Sequence, residues 1–231
     1  LLVPYDEKAK EDASIVIGKL EGGSLAPENE ISEIPTAQIQ DTALMDLIQE
    51  VQLYYTDADV SAAALFIMDA NLHEGDIHKC DTAQVYKYTN TLYKLQMTGA
   101  QLKKYMEWTA SYYNTYKPED LTVSFNEDMR AYNYDMFQGV NYEINIANEA
   151  GNRIENLTWP DGTPVADDDS FTIAVNNYRA NSQLLTTGDV FQEGDELPVL
   201  LEMDVKGDIG GVRELIGQYI SEVKGGTITP E

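Results

Sequence analysis

Two short segments hold the residues best suited to chemistry. One is Val85-Tyr86-Lys87-Tyr88-Thr89-Asn90-Thr91-Leu92, the other Phe171-Thr172-Ile173-Ala174-Val175-Asn176-Asn177-Tyr178-Arg179-Ala180. Each sets an aromatic ring beside asparagines at the edge of a strand-like run. Two such rings, brought together by a fold, would clamp a flat heterocycle such as a nucleobase, because every base offers a π-face for stacking. An asparagine amide places a donor and an acceptor side by side, which matches the edge of a purine. The candidate binding residues lie in these two segments, with Asn177 and Arg179 flanking the ring of the second. Fifteen tyrosines also supply ordinary amphipathic packing, and asparagine equally serves turns and caps. Arg179 either meets a ligand or pairs with a nearby carboxylate, and the residues alone leave both readings open.

Other chemistries find little support. The two histidines, His73 and His78, fall short of a multi-histidine metal centre. With Cys80 they would make three zinc ligands, but at a spacing that matches no closed site. No metal ligand is assigned, and these residues read as surface groups. Asp167-Asp168-Asp169, near Asp161, lacks the ligand spacing and central glycine of an EF-hand loop and reads as a solvated turn. The chain contains no nucleophile elbow, no Walker loop and no dinucleotide fingerprint. Gly207-Asp208-Ile209-Gly210-Gly211 reads as a loop before a last helix. No catalytic residue is assigned.

Composition narrows the partners. A chain of 231 residues, 43% hydrophobic, can bury a sizeable core. Lys and Arg total 15 against 40 acidic residues, a net charge of −25. That field repels nucleic-acid polymers and anionic membrane surfaces. It does not exclude a single nucleotide, whose base is uncharged and whose phosphate a metal elsewhere would neutralise. No apolar run approaches transmembrane length, so no direct membrane insertion is expected. One cysteine permits no intramolecular disulfide. The start at Leu1-Leu2-Val3-Pro4-Tyr5 reads as a cut inside a longer protein.

The elements that must position the candidates follow from periodicity. Tyr5 to Asp12 begins a polar helix, and Ser14 to Leu20 forms a strand ended by Gly22-Gly23. Ala26 to Pro35 is loop. Asp41-Thr42 caps a helix with Leu44, Leu47, Ile48 and Val51 on one face. Ala62 to Met68 is expected as a buried strand and Asp69 to Asp81 as a polar loop. Tyr93, Leu95 and Met97 alternate with Lys94 and Gln96 along a strand, and Thr98-Gly99 opens a long helix carrying Leu102, Tyr105, Met106 and Thr109. Tyr142 to Ile146, Arg153 to Leu157, a turn at Pro160-Asp161-Gly162, and Phe171 to Val175 suggest an antiparallel meander. Val212 to Tyr219 is the final helix, with Gly225-Gly226 beyond its end. Strands and helices mix without a βαβ rhythm, which indicates an α+β fold with mixed or antiparallel sheets in a single domain, 1–231.

Taken in order, several blocks resemble the C-terminal domain of the 5′-nucleotidase / 2′,3′-cyclic-nucleotide 2′-phosphodiesterase (3′-nucleotidase) family. They are Gly75-Asp76-Ile77 with Val85 to Leu92 and Met97-Thr98-Gly99-Ala100-Gln101-Leu102, then Asp135 to Ile144, then Phe171 to Ala180, then Val212 to Pro230. The resemblance spans nearly the whole chain. Tyr rather than Phe in the first block and Asn-Tyr-Arg-Ala in the third resemble the cyclic-nucleotide phosphodiesterase branch. The segments Pro35 to Asp41 and Met68 to Leu72 hold no arginine, unlike the plain 5′-nucleotidases. The resemblance implies a layered α/β/β/α-type sandwich and a role in substrate recognition. Tyr88 and Tyr178 would sandwich the base of a nucleotide or nucleoside, and Asn90 would contact it. It further implies a covalently linked N-terminal metallophosphoesterase domain, absent from these residues, with two divalent metals; this chain would need no cofactor of its own and would be inactive alone. An extracellular, periplasmic or cell-wall location is expected for the parent. One departure stands out: Ala180 is followed by Asn181-Ser182-Gln183-Leu184-Leu185 where the family has a glycine-rich loop. Two other readings stay open: a binding or scaffolding domain that has lost nucleotide recognition, and a complete small hydrolase.

Overall fold

The structure is a computed structural model and describes residues 3–230. In chain order its elements are α1 (Val3–Ala13), β1 (Val16–Leu20), α2 (Ala43–Thr56), β2 (Val60–Ala63), β3 (Gly75–His78), α3 (Asp81–Val85), β4 (Leu92–Thr98), α4 (Gly99–Ala110), β5 (Met136–Gln138), β6 (Asn141–Ile144), β7 (Ile154–Thr158), β8 (Ser170–Asn176), α5 (Asn177–Arg179), β9 (Val199–Glu202), α6 (Val212–Gln218) and β10 (Thr227–Ile228). The fold is α+β with mixed and antiparallel sheets, as the residue pattern indicates. The described residues fall into two compact units: residues 3–51, 65–90 and 206–230, and residues 52–64 and 91–205. Among the described residues no helix is long and apolar enough to cross a membrane.

The first unit is built on a three-stranded sheet in which β1 lies between β10, its parallel neighbour, and antiparallel β3. Helix α2 buries Leu44, Leu47, Ile48 and Val51, the i, i+3, i+4, i+7 stripe expected from the sequence. Its start is capped as anticipated, with the Met45 N–H donating to Thr42 Oγ1 at 3.4 Å. Strand β3 lies inside the segment read as a polar loop. Of its four residues only Ile77 is buried, so it carries no alternating signal and owes its form to backbone pairing with β1. Helix α6 ends at Gln218, and the chain continues as a π-helical turn over Tyr219–Val223 before Gly225 and Gly226, both at positive φ.

The second unit is built on a five-stranded sheet of order β5-β2-β8-β4-β9, with the β6–β7 hairpin beside it. Strand β4 keeps the expected alternation, burying Tyr93, Leu95 and Met97. Thr98 closes a capping box at the start of α4: Gln101 N–H donates to Thr98 Oγ1, and Thr98 N–H donates to Gln101 Oε1. Gly99 is required here, because a Cβ at that position would stand 1.9 Å from the Ala166 carbonyl oxygen. Gly139 links β5 to β6 at φ +95°, where a side chain would meet the Asp59 carbonyl at 2.2 Å.

Two expectations need correction in this unit. The apolar run Ala62 to Met68 is not one strand: β2 spans Val60–Ala63 and the chain then turns away. Nor is there a meander through β6, β7 and β8. The first two form a local hairpin, but β8 pairs antiparallel with β4 from Leu92↔Asn176 to Thr98↔Ser170, and parallel with β2. Ile173, Ala174 and Val175 are fully buried, and a strand apolar on both faces belongs at the centre of a sheet.

Two predictions follow from the helix starts. Thr98→Ala removes an N-cap and is expected to cost about 1 kcal/mol in chemical denaturation. Asp46, on α2, has its carboxyl pushed from 3.8 up to about 6, first by burial and then by the charges of Asp41 and Glu50. A raised carboxyl favours the protonated folded form, so its contribution is present below pH 3.8 and lost as pH rises through about 6. Asp46→Asn is therefore expected to raise the melting temperature at neutral pH and leave it unchanged in acid.

Candidate functional site

In the first unit, Tyr88 lies in the short segment between α3 and Asn90. Tyr86 is fully buried, while Tyr88 two residues on is 46% exposed. Phe66 stands edge-on to both rings, at 5.0 Å from Tyr86 and 4.9 Å from Tyr88, with interplanar angles of 87° and 88°. The segment's backbone is gripped from α6. Arg213 Nε donates to the Tyr86 carbonyl at 3.0 Å, and Arg213 Nη2 donates to the Lys87 carbonyl. The Val212 N–H donates to the Asn90 carbonyl at 2.8 Å. The side-chain amide of Asn90 makes no hydrogen bond among the described residues and is partly exposed. A fixed backbone thus presents a buttressed ring and an available amide.

In the second unit, β8 ends at Asn176, whose Oδ1 accepts the Arg179 N–H at 2.8 Å and caps the single turn α5. Asn177 is joined to the start of β4: Thr91 N–H donates to Asn177 Oδ1 at 3.2 Å, and Asn177 N–H donates to the Thr91 carbonyl at 2.9 Å. Its amide oxygen is committed to the backbone. Tyr178 is 50% exposed, with Tyr132 edge-on at 6.4 Å and 78°.

Arg179 takes the carboxylate of the two alternatives. Its side chain is 3% exposed, and Nε donates to Asp135 Oδ2 at 2.5 Å. Nη1 donates to Asn133 Oδ1 at 3.0 Å and Nη2 to the Tyr132 carbonyl at 2.8 Å. The guanidinium carbon sits 4.9 Å from the Trp108 ring centre, a cation–π contact. Tyr105 Oη donates to the same Asp135 oxygen at 2.5 Å. Burial pushes the Asp135 carboxyl above its usual range, and the Arg179 charge and the Tyr105 hydroxyl oppose that rise. Burial and the neighbouring Asp135 charge hold the Tyr105 phenol well above its ordinary value, so it stays a proton donor.

The segment after Ala180 is a π-helical turn, Ala180–Leu184, closed by the Leu185 N–H donating to the Ala180 carbonyl at 2.8 Å. Ala180 and Leu184 are fully buried in the unit's core, so these two side chains point inward. Among the described residues no three His, Cys, Asp or Glu groups converge as metal ligands. His73 Nδ1 meets Ser24 Oγ at 3.0 Å, His78 lies 3.4 Å from Asp81, and Asp167 and Asp169 are engaged by Lys103 and the Trp159 indole.

Residue types alone missed Phe66, Tyr132, Asp135 and Trp108. Phe66 lay inside the apolar run read as strand. Asp135 opens the second block of the family resemblance, which was its one signal.

Comparison with known proteins agrees with this architecture. The sequence pattern of the family described as “5′-nucleotidase, C-terminal domain” matches residues 16–187. A 2′,3′-cyclic-nucleotide 2′-phosphodiesterase/3′-nucleotidase of Yersinia enterocolitica is 30% identical over 190 residues, covering 65% of this chain and 29% of that protein. The protein of the same description from Haemophilus influenzae is 29% identical over 246 residues, covering 89% of this chain and 36% of its own length. The chain therefore spans about a third or less of the length of the curated relatives it matches. A solved Staphylococcus aureus protein designated a 5′-nucleotidase superposes with a TM-score of 0.75 at 24% identity, covering 94% of this chain and 39% of that one. At that identity the likeness speaks for the fold.

The geometry separates the two kinds of site residue by their effect on stability. Tyr88→Ala and Tyr178→Ala remove exposed rings and are expected to cost no more than about 1 kcal/mol each, the scale of one aromatic pair. Arg179→Ala leaves Asp135 buried without its counter-charge and is expected to cost about 3–5 kcal/mol. Denaturant titration of the three variants checks the contrast.

Proposed function

Because the chain belongs to the 5′-nucleotidase C-terminal domain family, we propose that it recognises the base of a nucleotide for a metal-dependent phosphoesterase, the phosphoester being hydrolysed by a linked metallophosphoesterase domain. The observation that carries the reading is the presentation of Tyr88 and Tyr178. Each is about half exposed and flanked by a second ring at nearly a right angle; Tyr88 follows backbone gripped by Arg213, and Tyr178 precedes Arg179, whose side chain is anchored on the 132–135 segment. Large rings left in water on fixed backbone are poor contributors to a core and good stacking platforms. Asn90 adds an unengaged amide close in sequence to the first ring, suited to the polar edge of a base. In this reading Arg179 supports Tyr178, and Asn177 serves the ligand only through its amide nitrogen, which makes no hydrogen bond among the described residues.

The division of labour follows from chemistry. Base stacking supplies affinity and holds the phosphoester in register with the hydrolytic centre, lowering the barrier by positioning. When bound in the linked domain, two divalent metals would activate water and neutralise the phosphate. The net charge of −25 suits a domain that leaves phosphate neutralisation to them. The names of the relatives point to 2′,3′-cyclic and 3′ phosphoesters as the first substrates to try. An extracytoplasmic setting, periplasmic or cell-wall-associated, is part of the same proposal.

A second reading has its own support. The π-helical turn after Ala180 replaces the glycine-rich loop expected from the resemblance, which favours a binding or scaffolding domain without nucleotide recognition. The two separate in the full-length parent. Tyr88→Ala and Tyr178→Ala are each expected to lower kcat/KM for a cyclic nucleotide about tenfold, since stacking is worth roughly 1–3 kcal/mol per base. Turnover of a base-free aryl phosphodiester should stay unchanged. Nucleotide efficiency at the wild-type level in both variants would remove the base-recognition reading and leave the scaffold.

A further inference from the structure

We infer that Asp135 is the positioning residue of the Tyr178 platform, acting through Arg179, and that Tyr132 is that platform's second aromatic wall. The inference rests on the base-stacking reading for its function but on separate contacts for its geometry. Tyr178 cannot orient itself. Its ring is half in water, its one ring neighbour among the described residues is Tyr132, and it stands on a single helical turn. The hold comes from the next residue. Arg179 sends three N–H groups to the segment 132–135: Nε to Asp135, Nη1 to Asn133 and Nη2 to the Tyr132 carbonyl. The same segment carries the Tyr132 ring. A planar guanidinium has a fixed fork, so these bonds set its direction as well as its place. They thereby fix the backbone of Tyr178 relative to Tyr132.

Asp135 is itself held from several sides. Tyr105 Oη donates to Oδ2, the Asp135 N–H donates to Thr109 Oγ1 at 2.6 Å, and Thr109 Oγ1 donates to the Asp135 carbonyl at 3.1 Å. Both partners come from α4, which is buried along this face and belongs to the core of the unit. Trp108, also on α4, closes over the guanidinium. Position therefore passes from a packed helix, through a carboxylate and a guanidinium, to an exposed ring. Stability by itself does not call for this device, since a buried ion pair is often replaceable by apolar residues of similar volume without loss. What the apolar pair would lack is direction.

The test uses that difference. In the full chain carrying fluorotyrosine at position 178, Asp135→Leu/Arg179→Met removes both charges and keeps the volume filled. The double variant is expected to melt below the wild type, because the buried Tyr105 hydroxyl loses its acceptor, yet to remain folded, while the fluorine resonance of residue 178 broadens and moves toward that of the free amino acid. Its affinity for AMP, by calorimetry, is expected to fall about tenfold, as far as in Tyr178→Ala, and combining the two should cost nothing more. An unchanged resonance, or wild-type affinity in the double variant, overturns the positioning role. If the wild type itself takes up no AMP while the resonance still moves, the positioning stands and the base-stacking reading is the one that fails. Should the double variant not fold, Arg179→Lys gives the same readout. It keeps a charge beside Asp135 but loses the fork, and an unmoved resonance there also overturns the role.

Discussion

One carboxylate oxygen organises the second unit. Asp135 Oδ2 receives the Arg179 Nε–H and the Tyr105 O–H, both at 2.5 Å, with all three side chains out of water. An isolated charge at such depth is costly, and it is tolerated because a counter-charge and directional hydrogen bonds meet it at once. The arrangement ties α4, the 132–135 segment and the end of β8 to a single point. These elements are far apart in sequence and meet at that contact. Removing any one participant strands the others in a low-dielectric interior, which makes the network intolerant of partial change.

The first unit uses a looser version of the same device. There Arg213 grips two backbone carbonyls of the Tyr88 segment, and Phe66 fills the right angle between Tyr86 and Tyr88. The contacts are to carbonyl oxygens and no buried carboxylate is involved. In both units an arginine fixes backbone and a perpendicular ring braces an exposed tyrosine. Edge-to-face pairs are favoured by the ring quadrupole, and the Tyr88 ring also has Lys87 Nζ over it, 5.8 Å from its centre. That geometry explains how a tyrosine can be firmly placed and still face water. It also explains why the chain is rich in tyrosine without most of them being ligand contacts: Tyr105, Tyr112, Tyr113 and Tyr134 are buried packing residues.

The elements read correctly from sequence are those whose signal is local. The α2 stripe, the β4 alternation, the Thr98 capping box and the turn at Pro160-Asp161-Gly162 each follow from neighbours within one or two turns of chain. The misread elements are those defined by distant partners. Strand β3 has a single buried residue and exists because β1 pairs with it. Strand β8 lies between β4 and β2, although β7 is nearer along the chain. The run from Ala62 onward is apolar throughout, and only the pairing with β5 and β8 decides where its strand stops.

The candidate site divides along the same line. Residue identity and order sufficed to show the family to which the chain belongs and to single out the two tyrosine–asparagine segments as candidates, because both are carried by the side chains themselves. Whether Arg179 faced a ligand or a carboxylate was a question no spacing could answer. Its partner Asp135 lies 44 residues away, and only folding brings the Asp135 Oδ2 and the Arg179 Nε within hydrogen-bonding reach. Phe66 and Tyr132 went unmarked for that reason too: a buttress is defined by the angle between two rings, and an angle between side chains comes into being only when the backbone that carries them is packed.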